Sequence, residues 1–278
     1  KYPERFFQVG VAEQNMAAIS AGLAMNGKIP FMSSYATFSP GKNWETIRTT
    51  IIYNRANVKI AGHHAGIMTG PDGATHQATE DLAITRSWPG ISIFVPCDSI
   101  EGKKATIKAG EIEGPIYLRF SRDKTPIMTT SETPFEVGKI QTFWTTNNPV
   151  ATIFATGYML YYALLAAKEI EQENIHVLVA NVSTIKPLDE KTLLSLAKDT
   201  KAFVAQNKVN IADIVNTLNS QITQTSLTLS SLESTQASQS AVLAQTSQIA
   251  RQAIDQSNSL DEKVASTSAN LSSLSYRI

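Results

Sequence analysis

VKIAGHHAGIMTGPDGATHQATED, residues Val58 to Asp81, opens as an apolar strand and closes where a helix begins. The loop between holds four glycines, three of the chain's four histidines, and Asp72 placed between His64 and His76. Glycines let a backbone approach a ligand closely, and histidines transfer protons near neutral pH, so the loop reads as a binding or catalytic element. The plainer alternative is a strand-to-helix connection with incidental histidines, although loops of this size are usually functional or disordered.

Outward from this stretch, residues 1–122 alternate short apolar runs (IPFMSSYATF, NVKIAG, ISIFVP, PIYLRFS) with helix-like segments. That alternation predicts an α/β fold, a parallel sheet with helices on both faces. Ala12 to Met25 is apolar or small almost all round, the pattern of a buried helix, with Glu13 near its N-terminal end. Further helices are expected from Trp44 to about Tyr53 and from Ser99 to Ala109, the latter covering the sheet before a strand at Ile116 to Phe120. Residues 123–137, DKTPIMTTSETPFEV, have no periodicity and read as a linker. Residues 138–205 then give a second unit. VATIFATG reads as a strand, Tyr158 to Gln172 as a helix, HVLVANV as a strand, Asp189 to Lys198 as a helix with Asp189 at its start, and KAFVA as a third strand. Such a β-α-β-α-β series implies parallel strands joined by right-handed crossovers.

Residues 206–278 differ in character. Neither glycine nor proline occurs beyond Pro187, and Ser, Thr, Gln, Ala, Leu and Asn predominate. Low complexity alone suggests disorder. Yet one heptad phase runs from Ile211 through Val215, Leu218, Ile222, Thr225, Leu229, Leu232, Gln236, Gln239, Leu243, Thr246, Ala250, Ala253, Ser257, Leu260, Val264, Thr267, Leu271 and Leu274 to Ile278, the seam of a coiled coil. Twelve of its twenty positions are Ile, Val or Leu, with polar or small residues in the middle. A continuous helix here would extend on the order of 100 Å and needs partner helices, from other copies or from a hairpin.

The 278 residues carry 24 Lys and Arg against 24 Asp and Glu. A balanced surface attracts neither nucleic acid nor an anionic membrane, so neither is expected as a main partner. The single cysteine, Cys97, excludes an internal disulfide, fits a reducing compartment and reads as core packing rather than a nucleophile. With no signal peptide and no apolar run of transmembrane length, a soluble cytoplasmic protein is the expectation. The abrupt start at Lys1 suggests a fragment.

GVAEQNMAAISAGLAMNGKIPFMSSYATF, the histidine loop continued to SIFVPCD, and GPIYLRFSR together resemble the pyrimidine-binding domain of transketolases. The likeness is greatest to the separate C-terminal subunit found where that enzyme is split into two chains. ATIFATGYMLYYALLAAKEIE and VANVSTIKPLDE are similar to the start of the family's C-terminal domain, so the resemblance covers residues 1 to about 205. It implies thiamine diphosphate as cofactor, with Mg2+ or Ca2+ and the diphosphate held by a partner diphosphate-binding subunit. This chain itself would hold no metal.

Residue by residue, Glu13 matches the glutamate that bonds N1′ of the aminopyrimidine ring. A buried carboxyl at an apolar helix start is suited to sharing a proton with a ring nitrogen; read alone, it would simply complement the helix dipole. Tyr35 and Phe38 match the aromatic positions that pack on that ring. A third such position falls at Gly41 or Lys42, where this sequence departs from the pattern. His64, Asp72 and His76 match residues that bond sugar hydroxyls and move protons during carbon–carbon cleavage, with Glu13, His64 and His76 as the catalytic set. Arg122 matches the arginine that binds the sugar's terminal phosphate, while His63 has no assigned role.

The implied reaction is transfer of a two-carbon ketol unit between sugar phosphates, in a subunit that is inactive alone. Homo-oligomers are expected through the subunit interface and the tail. Two other readings remain open. One is a related thiamine-dependent subunit, a 2-oxoacid dehydrogenase E1 β chain or a deoxyxylulose-phosphate synthase fragment. The other is a non-enzymatic, fibre-like fusion protein.

Overall fold

The computed structural model describes the backbone of residues 2–199 and 201–275 and the side chains of residues 2–198 and 219–266. It forms two units, Lys1–Gln206 and Asn207–Ile278. The first unit opens with helix α1 (Glu13–Met25) and strand β1 (Phe31–Tyr35), followed by a π-helical segment Thr37–Lys42, a turn of helix α2 (Trp44–Thr46) and a second π-helical run, Ile47–Ile52. Strand β2 (Lys59–His63) leads into the glycine-histidine loop. After it come α3 (Asp81–Ser87), β3 (Ser92–Phe94), α4 (Ser99–Glu111) and β4 (Ile116–Arg119).

Strands β1, β2, β4 and β3 pair in parallel in that order, as the alternating apolar runs require. Both faces are covered, so the central strands are mostly apolar: Ile60, Ile93, Ile116, Tyr117 and Leu118 are all buried. Ala17 and Ala21 of α1 pack on one side with Ile47, Ile51 and Val58. Ala105 and Ala109 of α4 pack on the other with Phe94, Ile116 and Leu118. Lys59 is fully buried at the start of β2, and its ammonium donates to Asn57 Oδ1 (2.6 Å) and to the carbonyls of Ile112 and Gly114 (both 2.7 Å). Burial pulls its pKa down to about 8, against an opposing pull from Glu113.

The second half of this unit departs from expectation. Strand β6 (Ala151–Ala155), α5 (Met159–Glu171) and β7 (Val177–Asn181) form the expected parallel crossover. An unanticipated strand, β5 (Gln141–Trp144), adds antiparallel to β7, so the sheet runs β5-β7-β6 and is mixed. A second unanticipated strand, β8 (Thr184–Lys186), crosses to pair antiparallel with β3 of the first sheet. Helix α6 (Glu190–Asp199) is preceded by Asp189, whose carboxylate accepts from the Thr192 N–H (3.2 Å) and from the Ile140 N–H (3.1 Å). The third strand expected at KAFVA is corrected: those residues open α7 (Lys201–Ser275) as helix. A five-residue apolar run does not distinguish strand from buried helix, and the residues after it contain no helix breaker. Of the heptad seam, the side chains of Ile211, Val215, Leu218, Thr267, Leu271 and Leu274, and the whole of Ile278, lie outside the described residues. Among the described residues, no helix is long and apolar enough to cross a membrane.

The connector at 123–137 lacks regular structure but is docked. Asp98 caps α4 by accepting from the Glu101 N–H (2.8 Å), and its other oxygen accepts from the N–H groups of Met128 (2.7 Å) and Thr129 (2.6 Å). The Thr129 hydroxyl donates to the same carboxylate at 2.8 Å. Burial alone would raise the Asp98 carboxyl, but these donors hold it below its ordinary value of 3.8. Deeper in, Glu101 accepts from the Cys97 N–H (2.6 Å) and from Asn181 Nδ2 (3.0 Å), tying α4 to β7.

Under the glycine-histidine loop, the buried Asp81 carboxylate accepts from the Tyr117 hydroxyl (2.7 Å) and from Arg119 Nε (2.7 Å) and Nη2 (3.2 Å). Tyr117 reaches it by passing over Gly62, where an added Cβ would stand 2.5 Å from the tyrosine oxygen.

Both contacts can be tested through stability. Gly62→Ala should displace Tyr117 and cost about 1–3 kcal/mol, measured by urea unfolding; an unchanged midpoint would contradict the packing. Asp98→Asn should cost about 1–3 kcal/mol at pH 7. Because the folded carboxyl sits below 3.8, its contribution is complete above that pH and fades as pH falls through the folded value. The gap between wild type and variant should therefore close in acid, and a gap independent of pH would refute the clamp.

Candidate active site

The C-terminal ends of β1, β2 and β4 lie on one edge of the parallel sheet, the edge where ligands bind in open α/β folds. Tyr35 ends β1, His63 ends β2, and Arg122 follows β4 by three residues. The loop between β2 and α3 is closed at its neck by the Gly66 N–H donating to the Ala78 carbonyl (2.7 Å). Inside it, the buried Thr69 hydroxyl contacts the carbonyls of His64 (2.8 Å), His76 (3.2 Å) and Gly66 (3.3 Å), drawing both histidines to one centre. His64 adopts a left-handed φ of 55°, and Gly66, Gly70 and Gly73 also have positive φ.

Four of the candidate rings form one cluster. Tyr35 and Phe38 stack with centroids 6.0 Å apart and planes 25° from parallel. His76 meets both edge-on, 5.9 Å from Tyr35 and 5.3 Å from Phe38, and His64 lies 4.1 Å from Tyr35. His76 Nδ1 is bonded to the Thr75 hydroxyl at 2.9 Å. His64 Nδ1 is buried with no partner among the described residues. His63 stacks on Phe120 at 5.1 Å and is held below its ordinary value by burial and by His64, which fits packing rather than proton transfer.

Asp72 and Arg122, both expected to face the sugar, are joined to one another. Arg122 Nη1 lies 3.3 Å from Asp72 Oδ1 and donates to the Thr69 carbonyl. Glu13 sits at the first turn of α1, 7% exposed, with Lys42 Nζ 3.4 Å from Oε2. Asn43 Nδ2 donates to the Glu13 carbonyl (2.9 Å) and lies 3.4 Å from Ser39 Oγ, while its Oδ1 is buried without a partner among the described residues. The segment 37–43 thus joins Phe38 to Glu13, and Thr69 joins the histidines to Arg122. Sequence reasoning left out Asn43, Thr69, Asp81 and Arg119. Apart from the Asn43–Ser39 contact, their partners are 30 or more residues away or are backbone carbonyls.

The site fits the pyrimidine half of thiamine diphosphate: an aromatic wall, a buried carboxylate, and unpartnered buried atoms on His64 and Asn43. Among the described residues, no group of three or more His, Cys, Asp or Glu is positioned to hold a metal ion. A cavity of about 780 Å³ lined by Trp44, Arg48, Tyr53 and Trp88 involves none of these residues.

The transketolase pyrimidine-binding domain family matches residues 1–128, and the transketolase C-terminal domain family matches residues 145–245. A C-terminal transketolase section from Methanocaldococcus jannaschii is 41% identical over 206 residues, covering 73% of this chain and 63% of that protein. Human transketolase is 35% identical over 202 residues, 72% of this chain and 32% of the human protein. A solved split-gene transketolase, described as an inactive β4 tetramer, superposes with a TM-score of 0.66 at 42% identity, covering 72% of this chain and 63% of that one. The chain therefore spans just under two thirds of its split relatives and about a third of the human enzyme. With two of the family's domains matched in order along one polypeptide, the chain belongs to the transketolase family through its pyrimidine-binding and C-terminal domains.

Proposed function

We propose that this chain supplies the pyrimidine side of a thiamine diphosphate site, and the sugar-facing loop, of a two-chain transketolase. A separate diphosphate-binding subunit would hold the cofactor's phosphates and its Mg2+ or Ca2+. The reaction is transfer of a two-carbon ketol unit from a ketose phosphate to an aldose phosphate, in the cytoplasm. One observation carries the reading: all seven candidate residues, Glu13, Tyr35, Phe38, His64, Asp72, His76 and Arg122, are linked through shared contacts at one edge of the sheet.

Bound thiamine diphosphate supplies the carbon nucleophile and the electron sink for carbon–carbon cleavage. Glu13 holds the proton shared with the pyrimidine ring, in a buried turn whose carbonyl Asn43 fixes. Lys42 Nζ stands 3.4 Å from Oε2 of that side chain. Tyr35 and Phe38 offer a flat apolar face to a heterocycle. His76, its Nδ1 tied to Thr75, presents Nε2 for proton exchange with a sugar hydroxyl, and His64 adds a second hydrogen-bonding ring. Arg122 uses Nη1 on Asp72 and Thr69 and keeps Nε and Nη2 for an anionic oxygen, so the Asp72 pair holds the fork ready for a terminal phosphate.

The test is to mix the chain with a diphosphate-binding subunit, thiamine diphosphate and magnesium, and to follow xylulose 5-phosphate consumption. Wild type should turn over only in the mixture. Glu13→Gln and His76→Asn should each lower kcat by about 10²–10⁴-fold with unchanged circular dichroism. Equal turnover by Glu13→Gln would sink the assignment.

A further inference from the structure

Between the helical run that follows β1 and the end of α3 lies the cavity of about 780 Å³ that the proposed chemistry does not use. A volume of that order holds a small organic molecule. One wall comes from α2 and the π-helical run after it: Trp44, Arg48, Ile52 and Arg55 follow one another at steps of four, four and three, the spacing of one helix face. The other wall is the last turn of α3 and the bend beyond it, which carries Trp88.

The apolar part of the lining is aromatic and well fixed. Trp88 is 5% exposed and packs in the first core with Ile52. The Lys186 ammonium holds the turn around it by donating to the carbonyls of Arg86 (3.0 Å) and Trp88. Trp44 and Tyr53 line the same cavity but are 43% and 86% exposed, so both rings keep apolar surface open to a ligand.

The two guanidiniums supply the second signal. Among the described residues, neither Arg48 nor Arg55 makes a side-chain hydrogen bond or an ion pair, whereas Arg119 and Arg122 each have a carboxylate partner. No aspartate or glutamate among the described residues lines the cavity. Arg55 also takes a left-handed φ of 49° where the helical run ends, a position at which glycine or asparagine costs less. Two unmatched arginines in a chain of balanced charge make a local cationic site, and a guanidinium fork fits phosphate. The rings beside them offer flat faces to a planar heterocycle. A ligand that uses both features carries a ring and an anion in one molecule.

We propose that this cavity binds a nucleoside phosphate, its base against the aromatic side chains and its phosphate on Arg48 and Arg55. None of the seven residues assigned to the thiamine diphosphate site lines it, so the proposal stands if that reading fails.

Isothermal titration of AMP into the full-length chain, in buffer free of phosphate, tests it. AMP should bind saturably. Inorganic phosphate, which lacks the ring, and adenosine, which lacks the anion, should each bind more weakly by about tenfold or more. Arg48→Ala and Arg55→Ala should each weaken AMP by about tenfold and leave adenosine unchanged. Trp44→Ala should weaken AMP and adenosine alike, by about fivefold or more. All three side chains are exposed, and circular dichroism checks that each variant keeps the fold. No saturable AMP binding with Kd below about 1 mM, phosphate bound as tightly as AMP, or AMP affinity unchanged in both arginine variants would overturn the proposal.

Discussion

A buried carboxylate, Asp81, sets the frame on which the candidate site rests. It stands at the first residue of α3 and takes hydrogen bonds from Tyr117 and Arg119 of β4, beside the strand that feeds the loop. Both ends of the loop are thereby anchored to neighbouring strands. An unpaired Asp81 at this depth would be costly, and so would an unpaired Arg119, so the two hold each other and the loop's ends in place. Gly62 belongs to the same constraint, since only a residue without a Cβ lets Tyr117 cross to Asp81. On that frame Thr69 gathers the backbone around His64 and His76 with one hydroxyl, a short-range device that a mobile loop of this length would lack.

The two α/β regions are coupled by polar contacts as well as by apolar ones, Cys97 packing with Leu160 and Val179 and Ile185 packing against the first core. Glu101 reaches Asn181, Asp98 clamps the connector, and β8 extends the first sheet with residues from the second. Burial pushes the Glu101 carboxyl up, even as the donors from Cys97 and Ser183 pull it down. Cys97, packed against it, is raised far out of the reactive range, so the lone thiol is a structural residue here.

How much of this was legible in the sequence depends on which interactions are local. The four parallel strands and α1 were readable because apolar runs of strand length alternate with helical segments, although α1 buries only the face of Glu13, Ala17, Ser20 and Ala21 rather than its whole circumference. The loop declared itself through Gly66, Gly70 and Gly73, each at positive φ, and through its histidines. β5 and β8 were not readable: four and three residues carry too little periodicity, and β8 pairs with a strand some 90 positions earlier. KAFVA misled because a short apolar run fits either period. The site residues named from the sequence do converge, but the sequence could not reveal that Asp72 and Arg122 pair, or that Lys42 stands beside Glu13. The Asp72–Arg122 pair depends on loop geometry held by Thr69, and Lys42 is brought to Glu13 by the segment that Asn43 ties to the start of α1.

On the proposed function, this chain carries one half of a cofactor site and another chain carries the other half. Isothermal titration of thiamine diphosphate with Mg2+ tests it directly, first into this chain alone and then into an equimolar mixture with a diphosphate-binding subunit. Binding to the mixture should be tighter by about 10²-fold or more, because only there are the ring and the phosphates held together. Equally tight binding to this chain alone would contradict it.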